Sequence, residues 1–387
     1  MEITYCKKKL EKIQQQMQSL GADACLLCVD VNLFYLTKRI YNGYFYIPVE
    51  GKPYFFIKRP AGFSGENVFY IRKPEDITDM LRNAGLELPE YLWLETDVLS
   101  YNESVRLEKI FNPARVGDAG KLLRNMRKVK TEEEIGQFRI SARRHAGVYG
   151  EVRECFRPGM TDLELQYEIE YRMRKAGSLG LFRAYGSNMD VFMGSLLAGE
   201  NAEVPSPFDF ALGGRGEHPF YPLGACGVVL KEGMSVMVDM AGNYTPYMTD
   251  MTRVFSVGRL ADEAYRAHRV SLDIQERILE MTKPGVACAD LYREAVAIVE
   301  KSGLSDCFMG TQQQAKFIGH GVGLQINELP VLTPRSQEVL EAGVVFALEP
   351  KFVIAGTGAV GIENTLLVTD TGVEKLTVFE EDILPLM

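Results

Sequence analysis

Four acidic residues stand in runs that would otherwise read as buried strand. Asp239 and Asp250 flank the turn Gly242-Asn-Tyr-Thr-Pro246, in the runs Met234-Ser-Val-Met-Val-Asp239 and Tyr247-Met-Thr-Asp250-Met-Thr-Arg-Val-Phe255. Glu349 closes Val344-Val-Phe-Ala-Leu-Glu349, and Glu363 opens Glu363-Asn-Thr-Leu-Leu-Val368. If the first hairpin folds symmetrically about the Tyr244–Thr245 bond, Asp239 lies directly opposite Asp250. Symmetry about Gly356 likewise sets Glu349 opposite Glu363. Opposed residues on antiparallel strands lie about 4.5–5.5 Å apart at Cβ, where like charges repel. An unpaired buried carboxylate costs several kcal/mol. Two explanations stay open on spacing alone: multivalent cations supply the countercharge, or the acids pair with Arg253, Lys351 or solvent. His320, between Gly319 and Gly321, is a fifth candidate ligand. Four carboxylates and one imidazole suit two divalent ions about 3.5–4 Å apart. Oxygen-dominated ligation of that kind favours Mn, Co, Fe or Zn.

The elements that must carry these residues belong to a chain of 387 residues, enough for two or three domains. The first 20 residues read as a helix stopped by Gly21, followed by β-like runs at 24–29, 44–48, 54–57 and 68–71 with turn residues between them. The basic run Lys121–Lys130 reads as a solvated face or linker, and Thr131 with Glu134 forms a capping box that starts a new helix. The expected boundary is near 125, giving an α/β domain at 1–125 and a second domain at 126–387. The second domain carries an internal echo. Arg157-Pro-Gly159 opens a helix ending at Ala176-Gly177, and Lys283-Pro-Gly285 opens another ending at Ser302-Gly303, a shift of 126 residues that also carries Leu165 onto Leu291. Each copy follows a long amphipathic helix and precedes strands, which predicts a duplicated unit.

Composition narrows the function classes. A net charge of −9 repels phosphate backbones and anionic lipid, so neither nucleic acid nor a membrane surface is expected as a partner. No run approaches the length of a membrane span, and no apolar stretch behind Lys7–Lys9 suggests a signal peptide. Seven cysteines without a spacing framework read as reduced thiols in the cytoplasm.

The runs around Asp239, Asp250 and Arg253, then Gly-His320-Gly-Val-Gly-Leu, Leu-Glu349-Pro and Gly-Ile-Glu363-Asn, resemble the creatinase/prolidase/methionine aminopeptidase family, and within it the aminopeptidase P and prolidase branch. The run Asp30-Val-Asn-Leu-Phe-Tyr-Leu-Thr37 resembles the same branch's creatinase-type N-terminal domain. The resemblance implies an α+β chain: a pita-bread catalytic domain with a pseudo-twofold repeat, preceded by a smaller α/β domain. It implies Asp239, Asp250, His320, Glu349 and Glu363 as ligands of two divalent metal ions, with Glu349 also moving a proton from a metal-activated water to the leaving nitrogen. It further implies a homodimer acting on short Xaa-Pro peptides. Departures point to a different small-molecule substrate, creatinase-like or lyase-like, as an alternative, with a non-catalytic peptide-binding module as a third reading. The family's usual second histidine, seven residues after His320, is Asn327 here, and the branch's frequent arginine two residues before the last glutamate is Gly361. Pro222 stands where a third histidine is usual. His218, 21 residues before Asp239, is the candidate to replace it, so His218 and Asn327 join Glu349 as candidate catalytic residues.

Other signals are weaker. Cys25-Leu-Leu-Cys28 reads as core thiols, and Gly356-Thr-Gly358-Ala-Val-Gly361 as hairpin glycines. His145 and His268 read as packed or solvent-facing, while Phe182, Tyr185 and Phe208 are candidate walls of a substrate pocket.

Overall fold

Leu10, Ile13 and Met17 recur at helical spacing and form the buried stripe of α1 (Lys7–Leu20), which ends at Gly21 in the left-handed conformation (φ 70°). In the computed structural model, which describes residues 1–186 and 191–387, this helix begins the first of two units, Met1–Arg127 and Lys128–Met387. The sequence-based boundary at 125 lies inside α5 (Gly120–Lys128).

The first unit is built on six strands: β1 (Ala24–Leu27), β2 (Asn42–Pro48), β3 (Tyr54–Arg59), β4 (Val68–Tyr70), β5 (Tyr91–Leu94) and β6 (Arg115–Asp118), in the order β4-β3-β2-β1-β5-β6. The β1–β2 and β2–β3 pairs are antiparallel and the other pairs parallel. Cys25 is buried in β1, as expected of a core thiol. Helix α2 (Asp30–Thr37), not expected from the apolar runs of the sequence, has no local side-chain cap. Glu95 braces the entry to the helix, accepting from the Cys28 and Val29 amides at 2.6 and 2.8 Å and from Asn32 Nδ2 at 2.6 Å. Arg127 donates to Asn32 Oδ1 behind it. Helices α3 (Asp76–Asn83) and α4 (Tyr101–Phe111) complete the unit.

The second unit opens with α6 (Glu132–Tyr149), whose Thr131/Glu134 capping box forms as expected, then α7 (Val152–Cys155) and α8 (Asp162–Lys175). A four-stranded sheet follows, with β7 (Gly194–Ala198), β8 (Ser235–Gly242), β9 (Thr249–Ser256) and the C-terminal β17 (Leu384–Pro385) in the order β17-β9-β8-β7. The second half repeats the plan with α9 (Asp262–Met281), α10 (Cys288–Ser302) and a sheet of β10 (Gly319–Gly321), β11 (Glu328–Val331), β12 (Val345–Leu348), β15 (Asn364–Val368) and β16 (Val373–Lys375). A separate ribbon pairs β13 (Lys351–Ile354) with β14 (Gly358–Gly361). The starts of α8 and α10 keep the 126-residue shift, and both Leu165 and Leu291 are fully buried, each in the core of its own half. Among the described residues, no helix is long and apolar enough to cross a membrane.

Two expectations are corrected. The basic run 121–130 is not simply solvated: Lys128 pairs with Glu338 and Glu341 at 2.9 and 2.8 Å, and the buried Lys130 lies 3.3 Å from Glu328. The first hairpin does not set Asp239 opposite Asp250. Asp239 faces Thr252, and Asp250 faces Ala241. The cause lies outside the hairpin, because the Ser141 hydroxyl of α6 accepts from the Thr245 amide at 3.2 Å and holds the turn one residue further along. The pairing therefore slips by two residues. Side-chain parity survives, and both aspartates remain on one face.

Candidate metal centre

Five strands or strand ends bring the candidate ligands together. Asp239 comes from β8, Asp250 from β9 and His320 from β10. Glu349 stands between β12 and β13, and Glu363 between β14 and β15. The second hairpin keeps its symmetry about Gly356 through both ladders: Ile354 pairs with Gly358, Lys351 with Gly361, and Leu348 with Asn364. The two glutamates thus face each other where the ribbon leaves the sheet. Glu349, Glu363 and Asp250 are buried, while Asp239 and His320 are half-buried. Ligand atoms of Asp250, His320 and Glu363 all lie within 4.8 Å of one another. His320 Nε2 is 3.4 Å from Glu349 Oε1 and 3.8 Å from Asp250 Oδ2.

The explanation left open as an alternative, pairing with a lysine, is realised on one side of this cluster. Lys351, 1% exposed, donates to Asp239 Oδ2 at 2.8 Å, Glu349 Oε2 at 2.7 Å and Glu363 Oε2 at 3.0 Å. Arg253 does not share that role. It is fully buried and spends its guanidinium on backbone carbonyls, including those of Thr252 and Glu363 at 2.8 Å each. Thr252 Oγ1 donates to Glu363 Oε2 at 2.7 Å, which leaves Glu363 Oε1 buried without a hydrogen-bond partner.

Residues that the sequence reading did not place at the site hold the glutamates from behind. On α9, His268, Ser271 and Gln275 form a polar stripe at i, i+3 and i+7 on a buried face. Ser271 Oγ donates to Pro350 O at 2.6 Å and accepts from the Ile362 amide at 3.1 Å. Gln275 Nε2 donates to Leu348 O at 2.7 Å, and His268 Nδ1 accepts from the Gly361 amide at 3.2 Å. The stripe therefore fixes the backbone on both sides of Glu349 and Glu363. The signal was available as polar residues at helical spacing among apolar ones. Gly361 itself has φ 117°, and a Cβ there would meet Pro350 O at 2.4 Å.

Burial and the charges of neighbouring groups, like and unlike, set the charge states of the cluster. Burial, then the neighbouring Asp239, pushes Asp250 up to about 7. Burial, then Asp250 and Glu349, drives Glu363 well above the usual carboxylate range. Glu349 goes the other way: burial opposes its charge, but Lys351 and His320 bring it down to about 2. His320 also overcomes its burial, raised to about 9 by Glu349 and Asp250. Lys351 is held protonated against burial by Asp239, Glu349 and Glu363.

The donor set fits a divalent cation on the Asp250–His320 side. Glu363 Oε1 is an unpartnered buried acceptor there. Gly321 O, 3.2 Å from His320 Nδ1, accepts its proton and leaves the Nε2 lone pair for a metal. The 3.8 Å between His320 Nε2 and Asp250 Oδ2 is short enough for both to reach one ion bonded at about 2.0–2.2 Å. The Asp239 side is filled by the Lys351 ammonium.

The other candidates lie apart. His218 is exposed, its Nδ1 accepting from the Phe220 amide at 3.0 Å, and among the described residues no hydrogen bond or ion pair joins it to the acids. Asn327 accepts from the Tyr185 amide at 2.7 Å and donates to Tyr185 O at 2.8 Å, so its amide is committed to clamping that segment. Phe208 and Phe210 line a cavity of about 390 Å³ together with Phe317, whose ring lies 6.4 Å from that of His320. Phe182 packs edge-on to Phe210 at 6.1 Å.

Residues 136–370 match metallopeptidase family M24, and residues 9–129 match the Creatinase/Prolidase N-terminal domain. An Xaa-Pro dipeptidase of Pyrococcus furiosus is 26% identical over 385 residues, covering 98% of this chain and 100% of that protein. Among solved structures, the Xaa-Pro dipeptidase from Bacillus anthracis superposes with a TM-score of 0.80 at 22% identity, over 98% of this chain and 99% of that one. The prolidase from Pyrococcus horikoshii OT3 does so with a TM-score of 0.78 at 23% identity, over 97% and 99%. At these identities the structural likeness is one of fold.

Proposed function

The chain belongs to metallopeptidase family M24 and is a metal-dependent peptidase with a pita-bread catalytic domain, and from that premise we propose that it removes the N-terminal residue from short peptides with proline in second position. The observation that carries the site assignment is the convergence of Asp250, His320 and Glu363 ligand atoms within 4.8 Å, beside Glu349. A divalent ion held there (Mn, Co, Zn or Fe) would supply Lewis-acid polarisation of the scissile carbonyl and activation of a water. Glu349 takes up a proton at Oε1, the oxygen that Lys351 leaves free, and returns it to the leaving nitrogen. Thr252 and Arg253 hold Glu363 in place through its side chain and its carbonyl. Phe182, Phe208 and Phe210 form the apolar wall against which a prolyl ring would pack. The name of the Pyrococcus furiosus relative supports the proline preference.

The same reading implies a homodimer, checked by light scattering, and a cytoplasmic location. Seven free cysteines, with Cys25, Cys155 and Cys288 buried, suit a reducing compartment.

The test is turnover by metal-stripped protein reloaded with Mn or Co, on paired peptides with proline or alanine second. The expected result is metal-dependent cleavage of the proline peptides, abolished in Glu349→Gln with metal content retained. Metal uptake without cleavage of either peptide would refute the peptide assignment. It would favour a different small substrate, to which the committed Asn327 amide and the missing side chain at Gly361 point.

A further inference from the structure

A two-cation centre needs carboxylates that bridge, and Glu349 and Glu363 do bridge. One oxygen of each is bonded to the Lys351 ammonium, while the other belongs to the Asp250–His320 side. The cluster therefore has two cation positions, and a side chain fills one of them.

Lys351 lies two residues after Glu349, so strand alternation turns both side chains to the same face, with Pro350 between them turned away. Its backbone is fixed by pairing with Gly361, and its side chain is 1% exposed. An ammonium has three N–H donors and no acceptor, and here each donor meets a different acid at 2.7–3.0 Å. A divalent ion sharing those three oxygens would bond at about 2.0–2.2 Å, within the volume that Nζ occupies. Coulomb repulsion acts against it as well as overlap. The remaining donors, Asp250, His320 and Glu363 Oε1, make up the other position. That position loses nothing to Lys351, since Lys351 bonds Glu363 through Oε2 alone.

We propose that Lys351 is the resident cation of one of two cation positions, so that the centre holds a single divalent ion, at Asp250, His320 and Glu363. The proposal rests on the metal-dependent reading of this site. It makes Asp239 a partner of Lys351 rather than a metal ligand, and it replaces the two-ion expectation drawn from the resemblance.

The test counts ions without reference to activity. Metal-stripped full-length protein and the Lys351→Ala variant are dialysed against Mn²⁺, and bound metal per chain is measured by plasma emission. The wild type is expected to bind one ion. Lys351→Ala, which removes the ammonium and opens the space, is expected to bind two. Electron paramagnetic resonance gives a second readout that needs no variant. A mononuclear Mn²⁺ spectrum should persist in the wild type up to saturation, whereas a pair bridged by Glu349 and Glu363 would give an exchange-coupled spectrum. Two ions or exchange coupling in the wild type would overturn the proposal and leave the metallopeptidase reading standing. One ion in a folded Lys351→Ala protein would also overturn it, because the lysine would not be what excludes the second. No bound ion in either protein would overturn the proposal together with the metal assignment of the site.

Discussion

Replacing Arg253 by lysine keeps the charge and removes the fork. Arg253 sits at the joint between the two halves of the second unit. Its Nε donates to Glu380 O at 2.8 Å, its Nη1 to Thr252 O and Glu363 O at 2.8 Å each, and its Nη2 to Asn364 Oδ1 at 2.8 Å and to Phe379 O at 3.4 Å. Burial lowers its pKa to about 10, so it is cationic at neutral pH, although the nearest carboxylate oxygen, on Glu381, is 3.9 Å away. Carbonyl and amide dipoles therefore solvate this charge more than any counterion does. A lysine head is compact and has three donors, so it cannot span acceptors on both sides of the guanidinium plane. At least two bonds are lost. Each hydrogen bond to a charged group contributes about 1.5–3 kcal/mol, so losing two in Arg253→Lys should cost about 3–6 kcal/mol in the second unit. The assay is urea unfolding with amide hydrogen exchange resolved along β9 and β15, because the lone Trp93 lies in the first unit and is blind to this change. Protection should fall around Thr252 and Asn364 first. A loss below about 1 kcal/mol, or unchanged exchange at those amides, would refute the reasoning.

Acid should weaken the fold through His145, fully buried with Nδ1 3.1 Å from Thr249 Oγ1 and Nε2 unpartnered, whose pKa burial pushes down to about 3. Between about 6.5 and that value the unfolded chain binds a proton that the folded one refuses, so stability falls as pH falls, by about 1.4 kcal/mol per unit. His145→Asn should flatten that slope in urea titrations at pH 6.5 and below, and an unaltered slope would exclude the mechanism. Asp162→Ala should cost about 3 kcal/mol, since the buried carboxylate accepts from the Leu163, Cys226 and Gly227 amides at 2.9, 3.1 and 2.7 Å. Limited proteolysis should show new cleavage near Cys226, and resistance equal to wild type would count against it. Metal uptake at pH 7 should release protons, because Asp250 at about 7 and His320 at about 9 carry them in the metal-free protein. Calorimetry in two buffers of different ionisation enthalpy reads this directly, and equal heats would rule it out.

What could be read from the chain and what could not divides along local and distant causes. The four acids stood out because each interrupts or ends an otherwise apolar strand run, and His320 because glycines flank it. The register of the second hairpin was legible because Gly356, at φ 71°, centres a short turn that needs nothing from outside. The first hairpin slipped by two residues because a hydroxyl on α6 holds its turn. Helix α2 escaped notice because the Cys28 and Val29 amides that lead into it are held by Glu95, more than 60 residues away. The basic run looked solvated because the acids that bury Lys130 and bind Lys128 lie some 200 residues downstream. Lys351 was named only as one of several partners the acids could have, since spacing gives its face but not which acids lie within reach.

The bare backbone at Gly361 also constrains how this chain could change. Introducing the arginine usual in the Xaa-Pro branch would place a Cβ 2.4 Å from Pro350 O, at a φ of 117° that L residues rarely adopt. Such strain costs on the order of 1–3 kcal/mol before the new guanidinium makes any contact. The carbonyl it would strike is itself held by Ser271, so the ribbon cannot simply yield. Selection or design toward that arginine must first reshape the Ser271–Pro350 contact, and the order of substitutions matters: an epistatic barrier at one side-chain-free edge of the hairpin channels the accessible specificities away from the branch's common solution.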